Sequence, residues 1–83
     1  MSVIEPPIVI VVIRGGTDPT TCQELVDWFL ENFAVQFQGF DSTIDENVWA
    51  AFTGNFSVLN QISEKDNEIA STFPCIAFIG AFM

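Results

Sequence analysis

The chain has 83 residues, 49% of them hydrophobic, and sets eleven acidic residues against two basic ones, Arg14 and Lys65, for a formal net charge of −9. That balance excludes ordinary phosphate-neutralising contact with nucleic acid, which depends on Lys and Arg, and the length suits one domain with a modest core. Histidine is absent and the two cysteines, Cys22 and Cys75, form no CxxC or zinc spacing, so neither a metal site nor a histidine-based triad is expected.

Residues 1–7 read as an arm held extended by Pro6 and Pro7, and residues 8–83 as a single domain. Ile8 to Ile13 is an unbroken β-branched run, too short for a bilayer and without polar alternation, which predicts a central strand covered on both faces. Gly15 and Gly16 turn the chain, and Asp18 followed by Pro19 supplies a helix cap and a first helical residue. In the helix that follows, Cys22, Leu25, Val26, Phe29, Leu30 and Phe33 make the apolar stripe, while Gln23, Glu24, Asp27, Glu31 and Asn32 take the other side. Trp28 lies at the edge of that stripe, where it caps the core rim or meets another protein.

Beyond this helix, Val35 to Phe40 alternates apolar and polar and predicts a second, less buried strand, parallel to the first through a right-handed crossover. Asp41 to Asp45 is a polar turn. Ile44, Val48, Ala51 and Phe52 then suggest a short helix, stopped by Thr53, Gly54 and Asn55. Phe56 to Ile62 is readable as a strand or as an anchored loop. Ser63 to Asp66 has the form of a serine-capped helix start, with Ile69 and Ala70 facing inward through about Ser71. Phe73 to Ile79 predicts a last buried strand opened by Pro74 and bent or ended by Gly80.

This order of pieces resembles the glutaredoxin branch of the thioredoxin superfamily. Ile8 to Ile13 resembles its first strand, Asp18-Pro19-Thr20-Thr21 falls where its CPxC motif stands, and Thr72-Phe73-Pro74 with Cys75 to Gly80 resembles its Thr-Val-Pro and Phe-Ile-x-Gly elements. The resemblance implies a truncated α/β fold of order β-α-β-α-β. Its mixed sheet would have parallel first two strands, and its C-terminal helix would be missing or rearranged. It also implies a cis Phe73–Pro74 bond, with Phe73 and Pro74 in a loop that helps bind extended peptide or glutathione.

The motif itself has changed. Asp18 stands at the nucleophile's position and Thr21 at the resolving position, and neither can form a mixed disulfide. A helix start that favours a thiolate also favours a carboxylate, so the replacement is intelligible.

The expected function is that of a redox-inactive module, a structural or adaptor subunit of a larger assembly such as a virion, with no cofactor. Without a final helix one sheet face would stay apolar and open, so a protein partner, a second copy or a rearranged segment 55–72 is expected to cover it. Phe73, Pro74 and Trp28 are the candidate binding residues. Two alternatives are a monothiol oxidoreductase using Cys22 or Cys75 with glutathione, and an acidic mimic of DNA displaying Glu24, Asp27 and Glu31. Neither a signal peptide nor a membrane span is evident in the sequence, which suggests a cytoplasmic protein or one packaged into a particle.

Overall fold

The computed structural model describes residues 7–42 and 46–82. Strand β1 (Ile8–Ile13) forms where the β-branched run predicts it. Helix α1 (Pro19–Asn32) begins with Asp18 as its cap, whose side chain accepts a hydrogen bond from the Thr20 amide at 3.1 Å, and with Pro19 at the start of the first turn. Between them Gly15 has to be glycine, because a Cβ there would stand 2.8 Å from the Glu46 carbonyl oxygen.

Strands β2 (Gln36–Ser42) and β3 (Val48–Thr53) follow as a hairpin. Helix α2 (Phe56–Glu64) and the short α3 (Asp66–Thr72) come next, and β4 (Ile76–Phe82) ends the described chain. The four strands lie in the order β2-β3-β1-β4, and every neighbouring pair is antiparallel. Because β3 runs against both β1 and β2, those two point the same way without touching. The connection β1-α1-β2 therefore skips over β3, and β3-α2-α3-β4 skips over β1. These are two interlocked split β-α-β units, the ferredoxin-like arrangement of elements.

This overturns the truncated glutaredoxin-like fold class, in which the first two strands were neighbours in a mixed sheet. The cause lies in residues 48–53. Val48, Ala51 and Phe52 fit a helical stripe, but the same stretch also alternates: Ala50 and Phe52 are fully buried, whereas Trp49, Ala51 and Thr53 face the other way. Over six residues periodicity does not separate the two readings. Tertiary pairing does, because β3 fills the slot between β1 and β2 that the parallel reading closed.

Residues 56–62 are neither strand nor loop but the body of α2. Asn55 caps that helix by accepting from the Val58 amide at 2.9 Å, and Val58 and Ile62 are buried one turn apart. Ser63 belongs to α2 rather than capping α3, and of the expected inward pair only Ile69 is buried. Gly80 lies within β4 and does not end it. The arm at residues 1–6 and the turn residues Thr43 to Asp45 lie outside the described residues.

The core is a single cluster between the helices and one face of the sheet. Val9, Val11 and Ile13 from β1 and Ala50 and Phe52 from β3 meet Cys22, Leu25, Val26 and Phe29 from α1, Val58 and Ile62 from α2, and Ile69 from α3. Aromatic rings run across it: Phe29 stacks on Phe52 at 5.0 Å, Phe52 meets Phe37 at 5.3 Å, and Phe37 meets Phe40 at 4.9 Å. Since every helix packs on that one side, the fold has two layers, and its shortest principal extent is 17 Å. The expectation that β1 is covered on both faces is corrected: it is interior to the sheet but covered on one face only, as an antiparallel sheet permits.

Candidate interaction surface

The stretch Asp18-Pro19-Thr20-Thr21 is a capped helix start. The Asp18 carboxylate accepts from Thr20, its backbone carbonyl accepts from the Cys22 amide at 3.1 Å, and the Thr17 hydroxyl closes the preceding turn by donating to the Arg14 carbonyl at 2.7 Å. Pro19 and Thr20 are exposed and Thr21 is half-buried in the first turn. The amides of this helix start are partly satisfied by the chain's own carboxylate.

Of the candidate binding residues, Trp28 and Phe73 meet at 5.7 Å, edge to face, and Trp28 also packs edgewise on Phe29 at 5.5 Å and on Phe33 at 5.8 Å. Trp28 thus closes the core rim between α1 and the segment that leads into β4. Pro74 is exposed in the turn beside it, where the Ile76 amide donates to the Phe73 carbonyl at 3.0 Å. No peptide bond among the described residues is cis, which corrects the expectation for Phe73–Pro74.

Both cysteines are free thiols, Cys22 buried and Cys75 half-buried. Burial pushes the Cys22 thiol above its ordinary pKa, and the nearby Cys75 and Asp18 add to the shift. A reactive thiol needs the opposite perturbation. The carboxylates of Glu24, Asp27 and Glu31 are exposed on α1, and the Gln23 side-chain amide donates to Asp27 at 3.0 Å. A cleft of about 210 Å³ lies between β4 and the α2–α3 corner, with an apolar floor of Val9, Leu59, Ile62 and Ile79 and with Ser63 and Asp66 at its edge. It brings no convergent set of polar groups together, the usual mark of a small-molecule site.

The outstanding surface is the sheet face that no helix among the described residues covers. Pairing across β3, β1 and β4 arranges it in rows: Trp49, Val12 and Phe78 form one, and Ala51, Ile10 and Gly80 form the next. Thr53 and Ile8 stand in the third row. Phe78 is 60% exposed, and Trp49 and Ile8 are 39% exposed each. None of these residues is charged. Toward β2 the face turns polar, with Gln38 donating to the Thr53 hydroxyl at 3.1 Å and Asp41 beside Trp49 in register. No protein-family model and no curated protein matches this chain.

The two sheet edges differ as well. Along β2 the pairing register slips between Phe37 and Gly39, with Gly39 at φ 121°, and Asp41 adds a charge. A bulge and a charge are devices that blunt an edge against further pairing. Residues Ile76 to Phe82 of β4 carry neither charge nor proline, and from Phe78 to Phe82 the pairing with β1 is regular. The edge carries one irregularity, a register shift opposite Val12 and Ile13.

The sequence located the helix cap, the thiols and Trp28 and anticipated an open apolar sheet face, but not the residues that form it. Its signal was present: a strand with Ala50 and Phe52 inward must send Trp49 and Ala51 outward. That signal becomes legible only once residues 48–53 are known to be a strand.

Proposed function

We propose that this chain is a non-enzymatic interaction module, a structural or adaptor subunit whose recognition surface is the uncovered face of its sheet. The observation that carries the reading is the uncharged row of Trp49, Val12 and Phe78 on a protein of net charge −9. Six carboxylates, those of Glu24, Asp27, Glu31, Glu64, Asp66 and Glu68, lie on the helices and so on the other layer. A contiguous apolar patch framed by a charged remainder is the pattern of a protein contact surface, and aromatic anchors are its usual energetic centre. The position of Cys22 supports the same reading over thiol chemistry, since a buried thiol with a raised pKa is a core residue before it is a nucleophile.

Site-specific photo-crosslinking in the cells that make the protein tests this. A benzophenone amino acid placed at position 49 or 78 is expected to give defined cross-linked protein products, whereas the same group at position 24 or 31 gives none. Equal cross-linking from both layers, or none from positions 49 and 78, ends the reading.

A further inference from the structure

The uncovered face is shaped to receive itself. Trp49 and Phe78 are large and stand on either side of Val12, whereas the row beside them holds Ala51 and Gly80 on either side of Ile10. Trp49 and Ala51 are two residues apart on β3, and Phe78 and Gly80 are two residues apart on β4. Bulk on each of these two strands is therefore followed, about 6.6 Å further along, by a hollow. A two-fold axis lying in the plane of the interface, across the strands and midway between these rows, exchanges one row for the other. It leaves the strand order unchanged, so each β3 faces the other copy's β3 and each β4 faces its β4. Trp49 then seats over the second copy's Ala51, and Phe78 over its Gly80. A two-fold operation makes both contacts twice, as an isologous interface requires.

We propose that the uncovered sheet face is closed by a second copy of this chain in this two-fold, face-to-face register. The inference rests on the reading of the face as a contact surface and names its occupant.

Charge favours this occupant over a basic partner. The face holds no carboxylate in its Trp49 and Ala51 rows except Asp41 at the β2 edge, so a cationic protein finds nothing there to pair with. A second copy is the partner whose surface matches in chemistry as well as shape. Packed sheets lie about 10 Å apart and each helix layer stands outside its own sheet, so the helical carboxylates of the two copies are separated by roughly 40 Å. That is several times the Debye length of about 8 Å at physiological salt, so the helical carboxylates do not oppose the contact, and the like pair it does bring together, the two exposed Asp41 carboxylates, stands at its β2 rim.

Area limits its strength. In this register the Trp49 and Ala51 rows overlap while the third row of each copy extends past them, so four strands about 4.8 Å apart give an overlap of roughly 250 Å² in projection and bury on the order of 600 Å² in total. That is below the usual size of a specific interface, so a weak, reversible dimer is expected rather than an obligate one.

Sedimentation equilibrium of the purified chain from 1 to about 300 µM tests the proposal. The parent is expected to pass from monomer to dimer across that range. Trp49→Ala removes the bulk and Ala51→Trp sets bulk against bulk, and each is expected to weaken the dimer at least tenfold. The double variant Trp49→Ala/Ala51→Trp exchanges bulk and hollow between rows that the two-fold already exchanges, so it is expected to restore the dimer. Circular dichroism checks that the variants fold, and both positions face solvent in the monomer. A parent that stays monomeric throughout overturns the inference. So does a dimer indifferent to the single changes, or one that the double change does not restore. If the chain is monomeric while cross-linkers at positions 49 and 78 still capture a different protein, this inference falls and the functional reading stands.

Discussion

The two faces of one sheet carry nearly the same residue types to opposite ends. On the covered face Val9, Val11, Ile13, Ala50 and Phe52 are almost wholly buried under three helices. On the other, Ile8, Ile10, Val12, Trp49 and Phe78 are half-buried or exposed. Hydrophobicity alone does not separate them, since β1 contributes β-branched residues to both. The difference is what the chain can still place over each face. Helices α1, α2 and α3 all go to one side, and the described chain has no element left for the other. Apolar side chains on the open side leave their burial energy, about 25 cal/mol per Å², unrealised in the monomer.

The strongest way to break this contrast is to cut the same kind of bulk from each face. Phe52→Ala empties a site lined by Phe29 and Phe37 and is expected to cost about 3–5 kcal/mol, read as a lowered urea midpoint. Removing the cap of the helix that covers this face is a smaller insult. Asn55→Ala leaves the Val58 amide without its 2.9 Å partner and is expected to cost about 1 kcal/mol in the same measurement. On the open face, Phe78→Ser is expected to lower the stability of dilute monomer by no more than about 1 kcal/mol, because most of the residue stays exposed in the fold. It should nevertheless lower the binding of a dye for exposed apolar surface. A loss from Phe78→Ser as large as that from Phe52→Ala would mean that the face is buried within the monomer, and the contrast would fail.

The smallest effect sharpens the covered side through pH. Cys22 is an acid whose folded pKa is raised by burial, then by Cys75 and Asp18. The folded state therefore holds its proton more tightly than the unfolded chain does. Stability from this group is complete below the unfolded thiol pKa and declines as pH rises from that value toward the folded one. Cys22→Ala is expected to flatten this alkaline decline in denaturant midpoints, and an unchanged slope would show that the thiol does not titrate against the fold.

Several particulars of the fold were legible from residue order. Asp18 and Pro19 announced the start of α1 because capping is a local hydrogen bond that needs no tertiary context. The spacing of Cys22, Leu25, Val26, Phe29 and Phe33 announced the buried stripe, although Leu30 emerges 43% exposed at its margin. Residues 48–53 were misread because six residues satisfy both periods. Asn55 was read as a stop after a helix when its side chain opens the next one, and a polar residue beside glycine signals either.

The sequence by itself determined that this is a small acidic chain, 49% hydrophobic, with an interior strand at Ile8 to Ile13 and an aspartate where its early helix begins. Only the tertiary structure decided that β3 enters between β1 and β2, that all neighbours run antiparallel, and that Trp49 and Phe78 share a row on an open face. The physical reason is range. Caps and stripes arise from groups within a turn of each other, whereas strand order is settled by pairing between segments tens of residues apart, where one local pattern is compatible with several partners.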